Sequence, residues 1–527
     1  MSRTHLQEEL LRSQTNVTAD TQYGPVQGRR AANGAAVFLE VPYALPAKRF
    51  TDPEPLPVDF RYEGKEYILE SKYPAQPTND GQAAGVPFED KVGLGKPSED
   101  PLFVNIVAPP SFPAQSGFPV KVYIHGGFLQ FGSPHGLGSQ AQYISAERSE
   151  VWVNVGYRLS VFGFLACDEP KIDGNFGFKD QWLALLWVRD NIKAFGGNPD
   201  DIQVTGLSAV GAHSVHQLLH HASRLPEGIR APFNSAIMQS NAMVTTPKTP
   251  AELRPQFIAL CHAFALDPTS PTVLDDLRNP DKVSTSALTH AIETDALGIE
   301  YGTFRGAWEP SWLGSSDPME WQRTGGLARG LLAHDVRSVV IGDLTEEWYL
   351  YSIANPIKTM GDVQQNLLRY YREDVVTKML NAFIEGGKAP AEMTQEELVR
   401  LFGEVSSVGQ VHLPVRMFAR DMIGAGFPVV RYEIRWTPEQ VRPFGYVTHA
   451  TDRPLWAFRL PTLQDNQPSV ARAWLASIAE YQKRAEAGKE LPLKTILVLT
   501  ESKEIREVED AKWDEYMRLR TTLPGEV

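Results

Sequence analysis

Ser208 stands where a serine could act as a nucleophile. It lies in Asp201-Ile202-Gln203-Val204-Thr205-Gly206-Leu207-Ser208-Ala209-Val210-Gly211, where a β-branched run ends at a glycine and a helix-compatible stretch begins. The order predicts a strand, a sharp turn carrying Ser208, and a helix whose positive N-terminal end favours negative charge there. The pattern departs from G-x-S-x-G, because Val210 occupies the second glycine position and Gly211 comes one place late. A serine hydroxyl needs a base to take its proton, and the base works best when a carboxylate orients it. The oxyanion that forms needs preorganised N–H donors, each worth about 3 kcal/mol. The chain must therefore supply a histidine, an acid and a glycine loop.

His125-Gly126-Gly127-Phe128 follows the short apolar run Lys121-Val122-Tyr123-Ile124, and glycines after a strand let the backbone approach a ligand closely. A plain tight turn would use the same residues. The acid candidates lie in Gly342-Asp343-Leu344-Thr345-Glu346-Glu347-Trp348, and the histidine candidate is His449 in Thr448-His449-Ala450-Thr451-Asp452. His213, His216, His220 and His221 share one helical face, but no nearby carboxylate or thiolate completes a metal set, so a packed or surface face is the expectation.

The elements that must position these groups are strands alternating with helices. Strands are expected at 121–124, 151–155, up to Val204, 236–238, 338–341, 429–434 and 496–499, and a helix at 180–195 with Leu183, Leu186, Trp187 and Ile192 on its apolar face. This alternation predicts a mostly parallel sheet with helices on both faces. The stretch after Phe50 is rich in Pro and Gly and reads as surface loops for about a hundred residues. In open sheets of this kind ligands gather beyond the carboxyl ends of the strands, where the loop after Ile124, the turn at Ser208 and the acidic loop after Ile341 all fall.

The chain has 527 residues, with 51 Lys and Arg against 64 Asp and Glu, a net charge of −13. An acidic chain without basic runs has no means of neutralising phosphates, so nucleic acid is not an expected partner. No apolar run approaches the ~20 residues needed to span a bilayer. Two cysteines, Cys167 and Cys261, and a polar N-terminus without an apolar signal core give a cytoplasmic expectation.

Together these stretches resemble the type B carboxylesterase family of α/β-hydrolases, which includes cholinesterases and fungal lipases. Phe38-Leu39-Glu40-Val41-Pro42-Tyr43-Ala44, Ser98-Glu99-Asp100-Pro101-Leu102, Tyr157-Arg158-Leu159, Gly174-Asn175-Phe176-Gly177, Asp180-Gln181 and Phe195-Gly196-Gly197-Asn198-Pro199 follow in the family's order. The resemblance implies an α/β-hydrolase fold, and the residues read as a polar extension at 1–21, then a single domain at 22–527 with helical cap-like insertions near 250–335 and 355–425. The resemblance implies Ser208 as nucleophile, Glu347 as triad acid with Glu346 as the fallback, and His449 as base. It places the oxyanion hole on the N–H groups of Gly127, Phe128 and Ala209.

Departures from the family pattern shape the remaining expectations. One bridge loses both cysteines, at Pro101 and Ala75. Phe128 replaces a glycine of the oxyanion loop, Val210 puts a branched side chain into the elbow, and Trp348 replaces the glycine after the acid. Phe128 and Trp348 are therefore expected to line a restricted substrate pocket. The expected activity is hydrolysis of a bulky or unusual small-molecule carboxylic ester through an acyl-enzyme, without cofactor or metal. The alternatives are acyl transfer with the same triad, or a degenerate family member that binds a ligand or protein without turnover. The residues do not address oligomeric state.

Overall fold

A computed structural model describes residues 3–78, 86–385, 387–489 and 492–526; the side chains of Ala209 and Val210 lie outside the described residues. Fourteen strands form among the described residues: β1 Asn16–Thr21, β2 Gly24–Arg30, β3 Ala36–Pro42, β4 Lys72–Pro74, β5 Lys96–Ser98, β6 Phe103–Ala108, β7 Phe118–Ile124, β8 Val151–Val155, β9 Gly197–Leu207, β10 Ser235–Gln239, β11 Ser338–Leu344, β12 Val429–Ile434, β13 Thr495–Leu499 and β14 Ile505–Glu509. Twelve join one sheet in the order β1-β2-β3-β6-β8-β7-β9-β10-β11-β12-β13-β14, and β4 pairs with β5 separately. The pairs from β8 through β13 are parallel. Both ends of the sheet are antiparallel.

The central strands are continuous apolar runs because helices cover both faces. Successive side chains of a strand point to opposite faces. On β11, Val339 and Ile341 accordingly enter one core while Val340 and Leu344 enter the other. The first core holds the helices Phe176–Asn191 and Ser208–Ala222, and the second holds Gln467–Glu486. A third cluster joins the helices between Met360 and Gly424 to Trp513 and Met517 near the C-terminal end.

Three expectations change. Asn16–Thr21, assigned above to the extension, is the first strand of the sheet, and the helix Leu6–Arg12 precedes it. Phe103–Ala108, within the stretch read as loops, is a fully buried strand; the prolines on either side and Asn105 within it obscure the otherwise apolar six residues. The helix ending at Asn191 buries Ala184, Leu185, Trp187 and Val188, while Leu183 and Leu186 are only partly covered. Cys167 and Cys261 are free and buried.

Ion pairs, one fully and one partly buried, tie the loops to this frame. Arg158 clamps Asp180 through Nε at 2.8 Å and a terminal nitrogen at 2.6 Å, and its other nitrogen donates to the carbonyls of Lys48 and Thr51. Arg49 makes the same kind of two-point contact with Glu99. These pairs account for two of the stretches, Tyr157-Arg158 and Ser98-Glu99-Asp100, that stood out in the sequence.

Candidate active site

The site is assembled at the carboxyl ends of neighbouring strands, with contributions from the ends of β7, β9 and β11 and from the loop after β12. Ser208 follows β9 directly and opens the helix Ser208–Ala222 with φ of +72°, the strained turn that a strand-to-helix elbow demands. The turn is possible because two glycines meet beneath it. A Cβ on Gly206 would lie 2.2 Å from the Gly211 carbonyl carbon, and one on Gly211 would lie 2.4 Å from the Ile124 carbonyl oxygen. The close approach of helix to strand is thus made at Gly211, one residue beyond the position that the elbow pattern assigns to a glycine.

The glycine loop lies against the serine: a Cβ on Gly126 would stand 3.1 Å from Ser208 Cβ. The chain then runs with positive φ through Gly127 at +123°, Phe128 at +58° and Leu129 at +63°. Two non-glycine residues in that region cost about 1–3 kcal/mol each. Aromatic packing offsets part of that strain: Phe128 is buried edge-on against Tyr351 with ring centroids 5.9 Å apart, and Tyr370 lies 6.3 Å away.

His449 Nδ1 lies 2.6 Å from Glu347 Oε2, and the other carboxylate oxygen of Glu347 accepts the Leu344 backbone N–H at 3.1 Å. Glu347 is fully buried. His449 Nε2 is also buried and has no hydrogen-bond partner among the described residues, which leaves free the nitrogen a general base would use. Tyr351 closes the circuit, with its ring 6.3 Å from the imidazole and edge-on to Phe128.

The other acids of the loop are committed elsewhere. Asp343 pairs with Arg416 and His412 inside the core. Glu346 bonds the Val447 backbone, accepting its N–H at 2.6 Å, and so fastens the acidic loop to the segment before His449. Trp348, expected at the pocket wall, instead packs on Tyr446 with centroids 5.1 Å apart and lies 3.5 Å beneath the Arg400 guanidinium. Tyr351, three residues further, supplies the ring that meets Phe128; Trp348 sits at the start of the helix Trp348–Ser352 and so faces another way.

The four histidines after the elbow are absorbed in packing. His216 bonds Gln322 at 2.8 Å and accepts the Met243 N–H, while His221 stacks on Trp312 at 4.0 Å. Burial lowers the pKa of each of the four. Among the described residues no group of His, Cys, Asp and Glu side chains could hold a metal ion.

The carboxylesterase family model matches residues 15–478, spanning the sheet, the elbow and His449. The chain belongs to the carboxylesterase family. It is a carboxylic ester hydrolase by that membership, and its relatives agree. It is 30% identical over 476 residues to a carboxylic ester hydrolase of Gibberella moniliformis, covering 84% of this chain and 83% of the relative. It is 28% identical over 452 residues to an uncharacterized esterase/lipase of Schizosaccharomyces pombe, covering 82% and 81%. Among solved structures a PNB esterase shares the fold, with a TM-score of 0.73 at 24% identity over 95% of this chain and 99% of the other. No helix of the described residues in this carboxylesterase is long and apolar enough to cross a membrane.

Asp452 behind the histidine carried no separate signal in the sequence beyond its place in the His-Ala-Thr-Asp stretch. It is fully buried and accepts the Trp456 indole N–H at 2.8 Å, but its other oxygen has no partner among the described residues. Burial, followed by the negative charge of Glu347, pushes its pKa up to about 6. A carboxyl raised in the folded state contributes stability that is present at acid pH and lost as pH climbs through about 6. Asp452→Asn is therefore expected to be more stable than the parent carboxylesterase at pH 8, with a gap about 2 kcal/mol wider than at pH 4. Urea unfolding at the two pH values measures it; equal gaps would show that Asp452 does not titrate in this way.

Proposed function

We propose that this carboxylesterase cleaves its ester through Ser208, His449 and Glu347, by way of an acyl-enzyme. His449 Nε2 takes the proton as Ser208 Oγ attacks the ester carbonyl, and Glu347 holds Nδ1–H and stabilises the imidazolium. The N–H groups of Gly127, Phe128 and Ala209 receive the oxyanion; the last belongs to the first turn of its helix, where N–H groups have no intrahelical acceptor. Collapse of the intermediate expels the alcohol with the proton from His449. Water, deprotonated by the same nitrogen, then releases the acid and restores Ser208. The observation that carries this reading is the 2.6 Å contact between His449 Nδ1 and Glu347, with Nε2 buried and without a hydrogen-bond partner among the described residues.

Phe128, wedged between Tyr351 and Tyr370, narrows the space beside the reacting carbon. That crowding supports a restricted choice of esters, with the larger part of a bulky substrate held away from the Phe128 wall. The test is a fluorophosphonate probe followed by peptide mapping, alongside assays with short and long p-nitrophenyl esters. The expected result is one label per chain, on Ser208, and ester turnover that the label removes. Labelling at another residue would move the nucleophile, and no labelling with no turnover would favour a binding module in its place.

A further inference from the structure

A cavity of about 90 Å³ adjoins the helix that begins at Ser208. One wall is His213, five residues along that helix and so about 7.5 Å from its start. Another is Tyr370, which also packs on Phe128. Four cations, Lys248, Arg305, Arg369 and Arg372, line the cavity against two carboxylates, Glu252 and Glu300, in a chain that is acidic as a whole.

Two of the cations are satisfied. Arg372 holds Glu252 by two contacts of 2.8 and 3.0 Å, and Arg369 meets Asp295 at 2.9 Å. Arg305 and Lys248 differ. Both are partly buried, and neither charged group has an ion pair or hydrogen bond to another described residue. The Arg305 guanidinium lies over the Tyr370 ring at 5.2 Å, an arrangement that orients it without meeting its N–H donors. Cationic donors that reach the cavity with no protein acceptor in place are free to meet an anionic ligand there, and a partly desolvated wall strengthens that attraction.

The geometry points to a carboxylate-binding subsite: Arg305 makes the two-point contact, Lys248 is the second cation, and the ester is one that carries a free carboxylate, such as a half-ester of a dicarboxylic acid. A planar guanidinium fork matches a carboxylate. Glu300 adds a negative charge to the same wall, which weighs against two charges on one group, as in a phosphate dianion, more than against the single charge of a carboxylate group. The assignment of this carboxylate to a substrate rests on the serine-hydrolase reading, whereas its binding does not.

Two measurements separate these. In the first, kcat/KM is compared for monoethyl adipate against ethyl hexanoate, and for 6-acetoxyhexanoate against hexyl acetate, which place the carboxylate on the acyl and the alcohol side. The parent is expected to prefer the anionic member of one pair, and Arg305→Met to reduce that preference about 10- to 100-fold through KM. Arg305→Lys should keep part of it, and Lys248→Met should lower it by less than Arg305→Met. The ratio is taken within each variant, so a lower folded fraction does not affect it.

In the second, adipate and inorganic phosphate are titrated calorimetrically into Ser208→Ala, with and without Arg305→Met. Adipate binding weakened by the second substitution supports the subsite even if the parent cleaves no ester, in which case the hydrolase reading alone fails. Adipate that does not bind, or binds equally to both proteins, overturns the subsite, as does a preference for anionic esters that survives Arg305→Met. Phosphate binding tighter than adipate overturns the carboxylate assignment.

Discussion

Alanine in place of Ser208 is expected to lower kcat for p-nitrophenyl butyrate by about 10⁶-fold, and His449→Ala by a similar factor. The double variant should be no worse than either, because a nucleophile without its base and a base without its nucleophile are equally idle. Glu347→Gln tests the third member by a different route. The Leu344 N–H donates to one carboxylate oxygen of Glu347, so the amide oxygen of a glutamine would stay there. Its NH₂ would then face His449 Nδ1, now 2.6 Å from Oε2, and would impose the tautomer that carries its proton on Nε2. That nitrogen could no longer accept the Ser208 proton, and a loss of about 10⁴-fold, or 5.5 kcal/mol, is expected. Glu346→Gln removes only the charge on a contact to the Val447 backbone and should cost far less. Equal losses in the two glutamine variants would reject the choice of Glu347.

The largest expected effect on stability lies at the other end of the acidic loop. Arg416 is buried between Asp343 at 2.9 Å and Asp510 at 3.0 Å, and its guanidinium lies 4.7 Å from the Tyr516 ring centre. His412 reinforces Asp343 at 2.8 Å, and Arg431 shares Asp510. Burial pushes the Asp343 pKa up, but the charges and hydrogen bonds of Arg416 and His412 win and hold it at about 2. Arg416→Met fills much of the volume and leaves Asp343 and Asp510 short of a partner, so it should cost about 3–5 kcal/mol at pH 7. A carboxylate with a depressed pKa contributes stability that is present above its unfolded value near 3.8 and lost as pH falls toward 2. The deficit of the variant should therefore shrink below about pH 4. Urea midpoints at pH 7 and pH 3.5 measure both parts, and a deficit unchanged by pH would mean that lost packing, not charge, sets it.

The network also explains why three acids in one loop are not interchangeable. Asp343 is the last but one residue of β11 and faces the core, Glu346 bonds backbone, and Glu347 alone meets His449. Nothing in the spacing of Asp343, Glu346 and Glu347 distinguishes them; only the family resemblance pointed to Glu347. Trp348 shows the converse. A large ring next to the acid suggested a pocket wall, yet its helix turns it to Tyr446 and Arg400.

What the amino-acid sequence determined by itself is local. Strand, glycine, serine and helix follow from dihedral preferences and apolar periodicity over a dozen residues, and so do the central strands and the glycine loop. Those patterns survive in one dimension because each depends on near neighbours. The tertiary structure decided what depends on distant ones. It chose Gly211 as the glycine that lets the elbow close, because only the folded chain brings Ile124 and Gly206 against it. It brought His449 to Glu347 across 102 residues, and it gathered Tyr351 and Tyr370 around Phe128. It also left Arg305 and Lys248 beside a cavity with no ion pair or hydrogen bond to their charged groups among the described residues, a property that no residue type or spacing records, since a charge is unmet only with respect to everything packed around it.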